Sequence, residues 1–179
     1  MAAFPVLFLP PARQGACGSA AWPRGSLRCP KALICRGCLI LLHVIARGKI
    51  ARSPEADLVA RYEKRLTWPA RLTELPETGG RIPEPVTPCR TVLLDERGKA
   101  LSSEGFAERL GKWRDEGIRE TRFVIGAADG HSEAERAAAD LLYALGPATW
   151  PHLLARAMLM EQLYRATSIL AGHPYHRAG

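Results

Sequence analysis

Apolar and polar residues alternate along the chain in blocks that predict strands and helices in turn. The run Leu39–Ala46 is apolar and rich in branched residues, and Arg47-Gly48 ends it. Such a run predicts a central strand of a parallel sheet, buried on both faces. Ser53-Pro54-Glu55 then supplies an N-cap, a proline for the first helical position and an early acid. The helix that follows has one apolar face, formed by Leu58, Val59, Tyr62 and Leu66.

The same reading extends to the end of the chain. Ser102 or Ser103 caps a second helix, and Ser132 with Glu135 resembles a capping box for a helix through Leu142. Proline and glycine between Pro76 and Pro88 predict a loop. Further strands are predicted at Arg71–Leu75, Thr91–Leu94, Thr121–Ile125 and, briefly, Pro147–Trp150, and a last helix at Leu153–Ala171.

Repeated strand-helix units predict an α/β fold with a parallel sheet and right-handed crossovers. Ligands of such sheets bind at the carboxyl ends of the strands. Three loops should meet there, namely Asp95–Lys99, Gly126–Gly130 and Gly146–His152. The sequence has no Rossmann glycine triplet, Walker lysine, serine nucleophile elbow, HExxH zinc motif or kinase signature, so hydrolase and ATPase functions lack the residues they need.

The charge is distributed unevenly along the chain. The net charge of +7 over 179 residues would by itself suggest an anionic partner such as RNA. Residues 1–38 contain five basic residues and no acidic one, which leaves 20 basic and 18 acidic residues for the rest. Because the remainder is nearly neutral, any contact with RNA must use local patches.

The first 38 residues differ from the rest in composition. They hold four of the five cysteines and show neither helical nor strand periodicity. Cys35 and Cys38 have the spacing of a zinc or redox pair, but Cys17 and Cys29 do not complete a second half-site, and an apolar stretch at Phe4–Leu9 lacks the basic start of a secretory signal. We interpret residues 1–38 as an unstructured extension, translated from a misassigned start upstream of the domain, with one domain over residues 39–179 and no metal. No apolar run reaches the length of a membrane span.

The last residues of the chain concentrate chemically active side chains. His173-Pro174-Tyr175-His176-Arg177 follows the last helix, and Pro174 should end that helix. A frayed terminus is the ordinary interpretation of such a position. Two imidazoles, a phenol and a guanidinium in five residues favour contact with a ligand instead.

Five motifs in order resemble the ribosomal large-subunit pseudouridine N(3)-methyltransferase family, which belongs to the SPOUT class. They are Leu94-Asp95 with Gly98-Lys99, Phe123–Gly126 with Asp129-Gly130, Thr149–His152, Glu161–Ala166 and His173–Arg177. The resemblance covers residues 39–179 and implies a parallel α/β domain with a C-terminal trefoil knot. A helix that the family usually has between its second and third strands is replaced here by the loop 77–88, and Ala127 stands where a glycine is common. That alanine requires a negative φ.

The resemblance implies that S-adenosylmethionine binds to backbone groups of the three loops. Small residues there would let the cofactor approach the main chain closely. Taken singly, such glycines more often end strands and cap helices. The implied cofactor-binding residues are Leu94, Gly126, Ala127, Gly146, Pro147, Ala148, Thr149, Trp150 and Pro151.

The resemblance further implies transfer of a methyl group to the ring nitrogen N3 of a pseudouridine. Arg165 and Arg177 are suited to holding a phosphate or a developing oxyanion, and His152, His176 and, as a weaker candidate, Tyr175 are suited to moving the proton. Tyr175 is equally suited to stacking on a base. Other residues have simpler interpretations: Glu161 pairs with Arg165, His43 belongs to the core, and His173 makes a structural hydrogen bond or takes part in catalysis.

The implied partners are a second copy of the chain and 23S rRNA in the assembled ribosome, in the cytoplasm, with neither a membrane nor a metal. In this class the partner subunit completes the site, so we expect the tail of one subunit to cover the cofactor of the other. Two alternatives stay open. One is a non-catalytic RNA- or ribosome-binding module of the same fold, and the other is a methyltransferase acting on another RNA position.

Overall fold

The computed structural model describes residues 40–127 and 129–173, which form five strands and four helices. The strands are β1 (Leu41–Arg47), β2 (Ala70–Leu75), β3 (Cys89–Ala100), β4 (Glu120–Ile125) and β5 (Leu141–Ala144). The helices are α1 (Pro54–Arg65), α2 (Ser103–Asp115), α3 (Glu133–Ala138) and α4 (His152–Leu170).

All neighbouring strands of the sheet are parallel, in the order β2-β1-β4-β3-β5. The predicted parallel α/β class is therefore confirmed. The apolar run of β1 lies second from one edge, where Val44 is in register with Leu72 on one side and Phe123 on the other. A strand with a partner on each side has all its backbone groups hydrogen-bonded, which explains why the most continuous apolar run occupies this place.

The main core lies on the sheet face that carries α1, α2 and α4. Helix α4 packs between the other two helices. Phe106 of α2 has no exposed surface, stacks on Tyr143 at a centroid distance of 4.8 Å and meets Phe123 edge-on at 6.0 Å. Aromatic pairs in these geometries contribute about 0.5–1.5 kcal/mol beyond their buried area. This cluster holds α2 to both β4 and β5.

The opposite face of the sheet is joined to the loop 76–88 by a polar network. Fully buried His43 contacts Glu120 through Nδ1 (2.6 Å) and Thr73 through Nε2 (2.8 Å), and the other Glu120 oxygen accepts from the Val86 amide. Burial lowers the pKa of His43, although the Glu120 carboxylate acts in the opposite direction. A neutral imidazole suits this place, because Nδ1–H donates to Glu120 while Nε2 accepts from the Thr73 hydroxyl. The prediction that His43 belongs to the core is confirmed.

The predicted helix starts are confirmed by their caps. Ser53 accepts from the Ala56 amide, and Ser102, rather than Ser103, accepts from the Gly105 amide. Ser132 and Glu135 form the complete capping box. Each cap satisfies amides that would otherwise lack a partner at a helix start, which is why these local signals are readable without knowledge of the fold.

The predictions for residues 132–150 were wrong in two places. The helix that begins at the capping box ends at Ala138 instead of Leu142, and the strand is Leu141–Ala144 instead of Pro147–Trp150. Asp140 explains the change, because its carboxylate accepts from the Thr91 amide and its own amide donates to the Thr91 carbonyl, both within 2.9 Å. These bonds hold the next residues beside β3, and sheet pairing overrides their helical preference.

The segment Asp95–Lys99 also differs from its prediction as a loop. It is part of β3, which continues to Ala100. Pairing with β5 is interrupted after Leu94 and resumes with Lys99 opposite Tyr143. An irregularity of this kind bends a strand and redirects its side chains.

Some predictions fall on residues outside the described ranges. They concern the extension 1–38 with its four cysteines, and Tyr175, His176 and Arg177 of the tail. None of the helices in the described ranges has the length and apolar character needed to cross a membrane.

A buried guanidinium joins α4 to the carboxyl ends of β1 and β2. Arg156 has no exposed surface, pairs with Glu74 at 2.5 Å and donates to the Gly48 carbonyl at 2.8 Å. The same Glu74 oxygen accepts from the Ile50 amide at 2.9 Å. Four segments, namely α4, β2, the end of β1 and the loop before α1, therefore depend on one ion pair.

We expect Glu74→Ala to lower the free energy of unfolding by about 2–3 kcal/mol, since it leaves a buried guanidinium without its carboxylate. The loss stays below that for a fully dry pair because the Glu74 side chain is 27% exposed. Urea denaturation followed by circular dichroism measures it. The control is Arg81→Ala, which breaks an exposed pair with Glu84 and should cost less than about 1 kcal/mol. Equal losses in the two variants would contradict the role of Arg156.

Candidate active site

The three segments that the sequence predicts at the carboxyl ends of the strands, one of which is the end of β3 rather than a loop, meet around one cavity of about 490 Å³. This size is typical of a site for a small organic ligand. The prediction that they converge is confirmed. The lining residues come from the end of β3 with its bulge, from the segment after β4, and from the segment between β5 and α4: Leu94–Arg97, Ile125–Ala127, Asp129, Gly130, Arg136, Tyr143–Gly146, Ala148–His152 and Ala155.

An ion pair forms one wall of the cavity. The Asp95 carboxylate accepts from Arg136 Nε at 2.7 Å and from the Arg97 amide at 2.9 Å. Burial by itself raises the pKa of Asp95, but the Arg136 guanidinium and the amide outweigh it and hold that pKa below its ordinary value. Asp95 is therefore an ionised, fully engaged carboxylate that fixes the bulge of β3 against α3.

The segment after β4 forms a second wall, in which the backbone approaches itself closely. A Cβ added to Gly126 would lie 2.9 Å from the Gly130 carbonyl oxygen, and the Gly130 amide donates to the Ala127 carbonyl at 2.9 Å. Only glycine fits at position 126 without moving the turn. No non-glycine residue in the described ranges has a positive φ, so the requirement for a negative φ at Ala127 is met. Buried His131 closes the turn by donating from Nε2 to the Leu94 carbonyl at 3.1 Å.

The segment between β5 and α4 forms the third wall. Thr149 donates its hydroxyl to Glu96 at 2.8 Å, which ties this wall to the end of β3. Trp150 donates from its indole nitrogen to the Leu145 carbonyl at 3.3 Å and stays 41% exposed. At the base of the wall, burial and the Glu161 carboxylate raise the pKa of Tyr143 to about 12. Its phenol therefore stays protonated near neutral pH and keeps a hydrogen that it can donate.

His152 is the first residue of α4 and is half-buried in the lining of the cavity. It lies against the loop that follows β1, since a Cβ built on Gly48 would lie 3.5 Å from His152 Nε2. Arg156 is one helical turn later and donates to the Gly48 carbonyl of the same loop. This arrangement places an imidazole between the cavity and the loop 48–52.

Arg165 lies well away from His152 in a single chain. The two residues are thirteen positions apart on α4, which is roughly 20 Å along the helix axis. Arg165 pairs with Glu161 at 2.6 Å, as the spacing predicted. Glu161 lines a second cavity of about 410 Å³, which lies between α2 and α4 and shares Tyr143–Gly146 with the first. One chain therefore brings together His152 and the predicted cofactor-binding segments but not Arg165.

The sequence reasoning missed the side chains that fix the walls. It named Asp95 only as part of a loop and did not single out Arg136, His131 or Tyr143. The available signal was position, since Asp95 directly follows an apolar strand and His131 directly follows a glycine turn. Their partners come from other elements, so no local pattern reveals them. Tyr175, His176 and Arg177 lie outside the described residues.

Comparison with known proteins adds the family. Residues 40–176 match the family described as "Predicted SPOUT methyltransferase". A protein of Erythrobacter litoralis named Ribosomal RNA large subunit methyltransferase H is 79% identical over 140 residues, which cover 78% of this chain and all of the relative. Proteins with the same name from Novosphingobium aromaticivorans and Rhizorhabdus wittichii are 69% and 66% identical, again over 78% of this chain and the whole relative.

The match extends from β1 to beyond the last described residue and includes all three walls of the cavity. This chain therefore belongs to the SPOUT methyltransferase family.

Proposed function

We propose that this protein transfers a methyl group from S-adenosylmethionine to N3 of a pseudouridine in large-subunit ribosomal RNA. The observation that carries the proposal is the convergence of three segments on one cavity in a member of the SPOUT family. The relatives' shared name supports ribosomal RNA of the large subunit as the substrate. The choice of pseudouridine rests on the resemblance of the five motifs.

The walls of the cavity fit the proposed cofactor. Gly126 lets its turn close against the Gly130 backbone, and Ala127 and Ala148 are small enough for a ligand to reach the main chain of this wall and of the wall after β5. Leu94 offers an apolar surface for the adenosine, and Gly146 and Ala148–Pro151 offer backbone groups; Pro147 does not line the cavity. When bound, S-adenosylmethionine supplies an electrophilic methyl group on a sulfonium sulfur.

The residues of the chain would then handle the acceptor and its proton. The pseudouridine nitrogen is a weak acid and must lose its proton as the new bond forms. His152 lines the cavity and is one candidate for moving that proton, with His176 and Tyr175 of the tail as the others. Arg165 and Arg177 are suited to holding a phosphate or the developing oxyanion, since a guanidinium keeps its charge. Holding donor and acceptor in line can supply about 7–11 kcal/mol of the acceleration.

We infer that the active unit is a homodimer. His152 and Arg165 of one chain lie far apart on α4, so a site that uses both groups would draw one from a second copy. Leu154, Met158, Glu161 and Arg165 are spaced by three or four residues on α4 and all are only partly buried. This stripe combines apolar contact with the predicted catalytic group. A second copy packed there would also bring its tail toward the cavity.

We also infer that the chain carries the trefoil knot of its class. After β5, at one edge of the sheet, the chain passes the third wall of the cavity and returns as α4 between α1 and α2. That return path is the part of the proposed topology that lies within the described residues. A crystal structure of the dimer that traces the backbone through residue 179 tests it.

The remaining proposals concern where the domain lies and where it acts. We propose that the methyltransferase domain comprises residues 39–179, with residues 1–38 as a dispensable extension. We further propose that the enzyme acts on the assembled ribosome in the cytoplasm, because so small a domain needs a preformed RNA surface on which to dock.

Incubation of the full chain with unmodified ribosomes and labelled S-adenosylmethionine should place one methyl group on N3 of a pseudouridine in 23S rRNA. Nuclease digestion and mass spectrometry identify the nucleotide. A mark on another nucleotide would contradict the substrate. Tight binding to ribosomes without any methyl transfer would favour the non-catalytic module.

A chain that ends after Ala171 should lose methyl transfer, because it lacks His176 and Arg177, while its circular dichroism spectrum and sedimentation coefficient stay those of the full dimer. The matched control begins at residue 39 and should keep its activity. Full activity in the shortened tail variant would remove the tail from the mechanism. A stable, fully active monomer would refute the shared site.

Gly126→Ala should raise the dissociation constant for S-adenosylmethionine at least about tenfold, or about 1.4 kcal/mol, because the new methyl group displaces the turn at Gly130. Isothermal titration calorimetry measures the constant, and thermal unfolding shows whether the variant is folded. Gly105→Ala is the control, since its Cβ would lie 3.5 Å from the nearest atom, Ser102 Oγ. Unchanged affinity in folded Gly126→Ala would exclude this turn from the cofactor site.

A further inference from the structure

The mouth of the cavity carries an exposed indole. Trp150 is 41% exposed, whereas Trp68 and Trp113 are each 5% exposed. Among the residues of 40–127 and 129–173, Trp150 and Val86 are the only exposed large hydrophobic residues, since the others are buried or partly buried. Burying an indole away from water is favourable. An exposed indole beside a ligand cavity therefore indicates a binding partner with a planar ring that covers it in the complex.

The indole is held before any partner binds. Its Nε1 donates to the Leu145 carbonyl at 3.3 Å, so the polar edge of the ring is satisfied by its own segment. The preceding residue, Thr149, is tied to Glu96 at 2.8 Å. A ring fixed in this way loses little conformational freedom when a second ring stacks on it. The main chain of the same segment stays available for the cofactor.

Positive charge lies on the other side of His152, in the loop 48–52. Lys49 and Arg52 are exposed, and no ion pair joins either side chain to another residue in the described parts of the chain. The Glu77 carboxylate would lie 3.2 Å from a Cβ at Gly48, and the Glu74 carboxylate, which pairs with Arg156, accepts from the Ile50 amide of the same loop. Arg156 and Glu74 hold the loop backbone in place from below. The backbone that carries Lys49 and Arg52 is therefore held in one position.

The far side of the cavity has the opposite character. Asp95 and Glu96 line it, Asp129 is exposed there, and Glu133 pairs with Arg97 and Arg136. A polyanion that approaches the cavity is repelled from this side and attracted to the loop 48–52. We therefore expect RNA to approach the cavity from the side of the loop 48–52.

We propose that Trp150, Lys49 and Arg52 form the RNA-facing rim of the site, a role that rests on the proposed function. A base unstacked from the RNA lies on the indole, and the flanking phosphates bind to the two cations. Proteins that read single-stranded or looped RNA combine these two contacts, aromatic stacking for bases and basic side chains for the backbone. The substrate is accordingly a nucleotide that can leave its helix, in a loop or at a junction.

Steady-state methyl transfer tests the rim, with the concentration of ribosomes varied at saturating S-adenosylmethionine. Trp150→Ala should raise KM for ribosomes about tenfold or more, and Trp150→Phe should restore part of the loss. Lys49→Ala should raise KM as well and should lower the slope of log KM against log salt by about 0.7–0.9. Arg119→Ala removes one exposed cation at the amino end of β4, at the opposite edge of the sheet, and should match the unmodified chain.

Two further measurements separate the possible failures. Calorimetry with S-adenosylmethionine should give the same affinity for Trp150→Ala and the unmodified chain, and a loss there with KM unchanged would assign the indole to the cofactor instead.

Cosedimentation with large ribosomal subunits measures RNA binding independently of methyl transfer. If the unmodified chain transfers no methyl group but Trp150→Ala still binds subunits more weakly, the proposed function fails and the rim stands. Equal binding by Trp150→Ala, Lys49→Ala and Arg119→Ala would overturn the rim.

Discussion

The site depends on a guanidinium that has no exposed surface. Arg156 binds Glu74 and the Gly48 carbonyl, and so fastens the start of α4 to the ends of β1 and β2. Removing both charges from water is costly, and the cost is offset only because the carboxylate and the carbonyls are already in place. His152 lies one turn earlier on the same helix. Because Arg156 fastens that helix to the loop 48–52, His152 is held between the cavity and this loop. The ion pair thus couples the fold to the geometry of the mouth.

The cavity itself results from parallel strands that end at one edge. Each wall follows a different strand, and each is tied to another wall: Arg136 to Asp95, His131 to the Leu94 carbonyl, and Thr149 to Glu96. These contacts make the walls one unit rather than three separate loops. A ligand that binds to their main chain therefore meets a surface that is largely organised in advance, which lowers the entropic cost of binding.

Much of the fold was readable because its signals are local. The apolar run of β1, the caps at Ser53, Ser102 and Ser132, and the α4 helix all depend on residues within a few positions of one another. The errors arose where distant partners decide. Residues 141–144 became a strand because Asp140 bonds to β3, and Asp95–Lys99 stayed in β3 because its far end pairs again with β5.

The sequence by itself determined the parallel α/β class, the three segments that meet at the carboxyl edge, and the family, since periodicity, capping and ordered motifs are properties of neighbouring residues. Only the tertiary structure decided that Asp95 and Arg136 pair, that Arg156 is buried beneath the loop 48–52, and that Arg165 is roughly 20 Å along α4 from His152. Charge pairing and burial depend on distances between segments far apart in the chain, and those distances exist only once the sheet has formed.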